Sequence, residues 1–169
     1  RKNKGSNDDW THPHDPDAKI TKMKDGRTHL AHKAEHAVDL DTGAIVAVTV
    51  QCADQGDTTT VYETVCEAVE NLVDVQDDPA SGEEVSCLDE VVMDKGYHSN
   101  KTLRQLGRMA IRSYVSEPDR PGKRHWKGKA EAQRAVYGNR RRIKGERGKA
   151  LMRRRGELLE RPFAHCYDT

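Results

Sequence analysis

From Thr28 to Val38 polar and small apolar positions alternate (THLAHKAEHAV), and Ala44 to Val50 (AIVAVTV) is a β-branched apolar run, with Asp41-Thr42-Gly43 between them as turn chemistry. This pattern predicts a β-hairpin. Beyond a polar stretch, Val61, Val65, Ala68, Val69 and Leu72 recur at helical spacing, and Thr58 after Asp57 is suited to cap that helix. Residues 74–86 are acidic and without period, which reads as a surface loop. A short apolar strand, Glu90 to Met93, then ends in Asp94-Lys95-Gly96. A short helix over Asn100 to Met109 and a second strand over Ile111 to Val115 follow, closed by Glu117-Pro118. Hairpin, helix, strand, helix, strand is an α/β order.

Residues 1–26 carry no hydrophobic period and read as a polar loop entering the domain. Residues 27–119 form the expected core. Residues 120–148 turn basic, with Trp126 and Tyr137 as the large aromatics and a helix expected around Ala130 to Arg142. Residues 149–169 form a C-terminal helix of the same domain, with Leu151, Leu158, Leu159 and Phe163 on one stripe and Pro162 kinking its end.

Composition narrows the class. The 169 residues are 34% hydrophobic, 34% charged and 5% aromatic, enough for one modest core, and no run approaches the length of a membrane-spanning helix. Cys52, Cys66, Cys87 and Cys166 form no CxxC pair and read as reduced, buried thiols. The formal net charge of +1 hides an asymmetry. Residues 1–119 carry 13 Lys and Arg against 23 Asp and Glu, a net of −10, whereas residues 120–169 carry 16 against 5, a net of +11. The tail alone is a basic module of the kind that meets a polyanion.

Two carboxylates stand out. Asp94 is delivered by Val91, Val92 and Met93 to the C-terminal end of a strand, where open α/β sheets place their sites, although such a residue also serves to begin a turn or cap a helix. Glu160 lies one helical turn after Glu157 beside the apolar stripe, among Arg153, Arg154, Arg155 and Arg161, where a salt-bridge role is the alternative. Asp39 and Asp41 read as turn formers. His12, His14, His29, His32, His36 and His98 complete no recognised zinc spacing, and His98, just after the Asp94 turn, is a candidate phosphate contact. Lys123, Arg124, Trp126, Lys127, Arg140, Arg141, Arg142, Arg153, Arg154 and Arg155 are the candidate nucleic-acid contacts, with Trp126 available to stack on an unpaired base.

The motif MDKGYHS (Met93 to Ser99) resembles the strand around the second aspartate of bacterial insertion-sequence DDE transposases, usually Asp-x-Gly-Tyr. The stretch Asp15 to Thr60 resembles the segment between that family's first and second aspartates. SYVSEPDR (Ser113 to Arg120) resembles the next strand, and LLERPFAH (Leu158 to His165) the glutamate helix, with Glu160, Arg161 and Phe163 matching Glu-Arg-x-Phe. Two departures stand beside these matches. Nothing between Arg1 and Asp15 matches the Asp-Gly/Ala-Thr strand of the first aspartate, so the chain is expected to begin after it, and Gly156 occupies the arginine place before the glutamate.

The resemblance implies a ribonuclease H-like mixed sheet with flanking helices, incomplete at the N-terminus, with a basic insertion before the last helix. It also implies Mg²⁺ or Mn²⁺ held by Asp94 and Glu160, with metal-dependent cleavage and strand transfer of DNA when the carboxylate set is complete. The expected setting is a bacterial cytoplasm, nucleoid-associated, with DNA as partner, a homo-oligomer forming on it, and no membrane. The alternative is a catalytically dead, nucleic-acid-binding relic of a truncated element. The fragment itself is expected to be inactive.

Overall fold

The computed structural model describes residues 9–22, 26–77, 87–119, 121–122 and 124–167, of which 76–77 and 160–167 are described as backbone only. It is a mixed α/β arrangement. Strands β1 (Lys19–Lys22), β2 (Thr28–Val38) and β3 (Ile45–Cys52) precede helix α1 (Asp57–Asp77). Strand β4 (Glu90–Met93), a 3₁₀ turn (Lys95–Tyr97), helix α2 (Asn100–Arg108), strand β5 (Arg112–Val115) and helices α3 (Ala130–Lys144) and α4 (Glu146–Tyr167) follow.

The hairpin forms where the alternation places it, antiparallel, with Ala34 opposite Val50 and His36 opposite Val48. Its turn is built by Asp39, whose carboxylate accepts from the Asp41 and Thr42 amides at 3.2 and 2.9 Å and from the Thr42 hydroxyl at 2.5 Å, while Gly43 takes φ +78°. Burial works against the Asp39 charge, but these donors more than offset it and hold the carboxyl below its ordinary value. Asp39 is thus a turn residue.

The polar opening segment departs from its expected loop. Lys19–Lys22 forms β1, antiparallel to the first residues of β2, with Ile20 opposite Leu30. Two of its four residues are lysine and one is threonine, so no hydrophobic period marks it; the free edge of β2 supplies what the side chains do not. Helix α1 begins at Asp57, a residue before the expected cap, and runs to Asp77, into the segment read as an acidic loop. The rest of that loop, 78–86, lies outside the described residues. The closing helix starts at Glu146 and continues past Pro162 to Tyr167.

Among the described residues the strands form two sheets, the antiparallel β1-β2-β3 and the parallel pair β4-β5, in which Glu90 faces Arg112 and Met93 faces Val115. The apolar core lies on the second. Val61 and Val65 of α1, Met93, Leu103 and Leu106 of α2, Ile111, Val115 and Val136 of α3 are buried together. Burial of such side chains is worth roughly 1.5–3 kcal/mol each.

One face of α1 serves this core, and the adjoining face, with Thr60 and Thr64 four residues apart, meets β2 and β3. Helix α2 ends in a turn in which the Ile111 amide bonds to the Leu106 carbonyl (2.9 Å) and the Ala110 amide to Gly107 (3.3 Å), with Ala110 at φ +60°. This turn feeds the chain directly into β5.

The outer edge of β5 is closed by side chains. Asn139, fully buried, donates to the Val115 carbonyl (2.7 Å) and accepts from the Val115 amide (3.0 Å), as a neighbouring strand would. Arg142 donates to the Ser113 carbonyl and hydroxyl at 2.9 and 3.0 Å. Asn139→Leu would leave both Val115 groups buried and unpaired, a loss of about 2–4 kcal/mol. Denaturant unfolding should show this drop, and a change below about 0.5 kcal/mol would show that water replaces the amide.

Candidate active site

Val91, Val92 and Met93 drive β4 into the interior, and Asp94 is the first exposed position beyond it. Its Oδ1 accepts the Lys95 amide at 2.7 Å and its carbonyl accepts the Tyr97 amide at 3.1 Å, so it caps the 3₁₀ turn. Oδ1 thus caps the turn, and Oδ2 accepts nothing from the described residues.

Behind the turn lies a charged cluster that the sequence reading missed. Glu35 of β2, only 4% exposed, accepts from the Thr60 hydroxyl (2.5 Å), the Thr64 hydroxyl (2.8 Å) and the Lys33 ammonium (2.6 Å). Lys33 also reaches Asp57 Oδ1 at 2.6 Å and sits 5.9 Å from the Tyr97 ring centroid. Burial opposes the charge of Lys33, yet the Asp57 and Glu35 carboxylates hold its ammonium above its ordinary value.

Burial, and then the charges of Glu35 and Asp57, push the Tyr97 hydroxyl upward, so it stays protonated. Gly96 makes a close approach here: a Cβ would stand 2.5 Å from Asp57 Oδ2 and would displace that carboxylate. The turn bearing Asp94 is thus seated on α1 and β2 through Gly96 and Tyr97. A signal was present: Lys33 and Glu35 share one face of β2, and Thr60 and Thr64 share one face of α1.

Helix α4 runs along β4 from its start toward its end. Arg147 binds Glu90 at the strand start (2.5 Å), Arg154 reaches Asp41 in the hairpin turn (3.1 Å), and the Arg155 charge acts on Tyr97. Glu160 follows Arg155 by five residues, about 7.5 Å further along the helix axis. Its side chain lies outside the described residues. His98 is 2% exposed, so burial withdraws it from the phosphate contact for which it was a candidate.

The candidate nucleic-acid contacts divide. Lys127, Arg141 and Arg153 are exposed. Arg124 and Arg140 converge on Glu117 at 2.8 and 2.6 Å, and their guanidiniums lie 5.5 and 5.1 Å from the rings of Trp126 and Tyr137 respectively. Trp126 packs against the core and lies 5.9 Å from Tyr137. Arg142 is turned inward onto Ser113, where burial pushes its guanidinium below its ordinary value. Arg155 is half-buried and Arg154 is paired with Asp41; Lys123 lies outside the described residues. Of the thiols, Cys52 and Cys66 are half-buried and free, and Cys87 is exposed rather than buried, the neighbouring Leu88 being the residue that packs against the core.

A family model for the transposase DDE domain matches residues 8–167. No curated protein and no solved structure matches the chain. The chain belongs to the transposase DDE domain family, whose function is transposition and whose partner is DNA. These domains are generally dependent on divalent metal. Asp94 suits such an ion chemically, with an exposed carboxylate oxygen of the hard donor type that Mg²⁺ and Mn²⁺ take. Among the described residues no group of three or more His, Cys, Asp and Glu is placed to hold a metal. No helix among them is long and apolar enough to cross a membrane.

Lys33→Met should destabilise the chain by about 3 kcal/mol, because Glu35 would remain buried without its countercharge, and Lys33→Met with Glu35→Gln should recover part of the loss. Equal stability of the single variant and the parent in denaturant unfolding would show that the hydroxyls alone suffice.

Glu117 is held below its ordinary value of 4.5, chiefly by its hydrogen bonds to Arg140. Its folded value being the lower one, its contribution is present above pH 4.5 and lost as pH falls through the folded value. The stability gap between the parent and Arg140→Met should therefore be widest above pH 4.5 and narrow as pH falls through the folded value. A constant gap would assign the role of Arg140 to its packing on Tyr137.

Proposed function

We propose that the chain is the catalytic part of a bacterial insertion-sequence transposase, cleaving and joining DNA phosphodiesters with Mg²⁺ or Mn²⁺ held by Asp94 and Glu160. The observation that carries this reading is the placement of Asp94, a carboxylate with one oxygen uncommitted at the exposed end of a buried parallel strand, with α4 running along that strand toward the same end. A ribonuclease H-like core of residues 27–119 and 149–169 supports the two carboxylates, and residues 120–148 form a basic excursion beside it. Divalent metal bound there supplies activation of the attacking oxygen and stabilisation of the leaving one. The chain's own part is to orient the ligands: Lys95 fixes one oxygen of Asp94 through its amide, and the Lys33 cluster seats the turn. The exposed cations of α3 and α4 hold DNA through its phosphates, where a homo-oligomer assembles, in a cytoplasmic, nucleoid-associated setting.

The test compares this chain with a version extended upstream by a strand bearing an Asp-x-Thr motif, using duplex DNA with Mg²⁺ or Mn²⁺. The extended version should cleave and transfer strands and lose activity by 10²-fold or more, in order of magnitude, on Asp94→Ala or Glu160→Ala. Cleavage that survives either substitution would refute the ligand assignment. Duplex binding without cleavage in every version would favour the catalytically dead, binding-only alternative.

A further inference from the structure

The acidic stretch of the chain holds three arginines that folding carries to the basic part. Arg104 and Arg108 of α2 and Arg112 at the start of β5 line one open cleft of about 370 Å³ with Arg134 and Arg142 of α3. Glu131 is the carboxylate in this cleft, accepting from Arg108 at 2.7 and 2.9 Å with Arg104 at 3.7 Å. Arg112 reaches Glu90 at 3.6 Å, but Glu90 is already held by Arg147. Of the five guanidiniums that line the cleft, Arg104 and Arg108 share Glu131, Arg112 shares Glu90 with Arg147, and Arg142 is bonded to Ser113, a concentration of positive charge that a neutral or cationic ligand would not match.

The cleft does not end at Arg134. The same residue borders a second open hollow along the outward side of α3, which includes Arg141 and Lys144. From Arg134 to Lys144 is ten residues of helix, about 15 Å, over which duplex DNA presents roughly nine phosphate charges. A single phosphate or a free nucleotide would satisfy only part of such a line. The position also matters. Arg112 opens β5 opposite Glu90, whereas Asp94 follows β4 at the other end of the same parallel pair, about 13 Å away along the strands.

We propose that the arginine cleft between α2, β5 and α3 is a seat for the sugar-phosphate backbone of duplex DNA, separate from the Asp94 end and holding a stretch of DNA that is not undergoing reaction. This rests on the reading of DNA as the partner, and it adds Arg104, Arg108, Arg112 and Arg134 to the interface. The contacts are to phosphate, so they carry no base preference and a strong dependence on salt.

The test is fluorescence anisotropy of this chain with short labelled duplexes of two unrelated sequences, over a range of salt concentrations. Arg108→Ala with Arg134→Ala removes two exposed side chains and should weaken binding to both duplexes by on the order of tenfold at moderate salt. The slope of log K against log salt should become shallower by about 1.8 units. Glu131→Gln removes the neutralising carboxylate and should tighten binding severalfold, a gain that misfolding does not produce.

The proposal is overturned if the double variant keeps the parental affinity and slope, or if Glu131→Gln leaves binding unchanged. If Arg141→Ala with Lys144→Ala weakens binding while the cleft variants do not, DNA remains the partner and the cleft is excluded from the interface. If the parent chain itself fails to bind duplex, the reading of DNA as its partner fails as well.

Discussion

A single ammonium joins the two halves of this fold. Lys33 stands between the carboxylates of Glu35 and Asp57, one from the middle of β2 and one from the first turn of α1, and its charge is what makes a buried Glu35 tolerable. Thr60, Thr64 and Thr49 complete the contact with hydroxyls, the last two 2.6 Å apart. Hydrophobic burial alone would let α1 slide over the hairpin, since it is non-directional; paired charges and hydroxyls fix one register. The turn bearing Asp94 inherits that register through Gly96 against Asp57 and Tyr97 beside Lys33.

The basic part of the chain performs two tasks. On its inward side, Asn139 and Arg142 replace a missing strand neighbour for β5, and Arg140 and Arg124 fasten the segment after β5 through Glu117. Gly148, where any side chain would collide with the Arg142 carbonyl, lets α4 pack against the end of α3. On its outward side, Arg134, Arg141 and Lys144 make no ion pair among the described residues, although the charge of Arg134 acts on Glu131 across the cleft. An arginine counted from composition as a phosphate contact is thus as readily a structural bolt, because its five donors close strand edges and carboxylates equally well.

Charge summed along the chain misplaces the interface for a related reason. The net of −10 over residues 1–119 is an average that includes a long acidic helix and loop, whereas Arg104, Arg108 and Arg112 cluster within nine residues of one another. Packing α2 and β5 against α3 sets those three beside Arg134, with Glu131 and Glu90 as the carboxylates that reach them. Electrostatic potential depends on distance in space and not on distance along the chain.

By itself the sequence determined the elements whose side chains repeat with the period of the backbone. The hairpin was legible from alternation over Thr28 to Val50, β4 from Val91, Val92 and Met93, and the helices from Val61, Val65 and from Leu103, Leu106, because burying one face forces that periodicity. Asp94 was legible because a strand end places it. Strand β1 was not, since its pairing comes from the backbone edge of β2 and leaves no mark on its own residues. Nor was the Lys33 cluster, whose members are 24 residues apart between Lys33 and Asp57 and acquire meaning only when α1 is laid on β2. Which arginines turn inward and which face outward was likewise decided by the tertiary structure, for the choice depends on where β5 leaves its carbonyl groups unpaired.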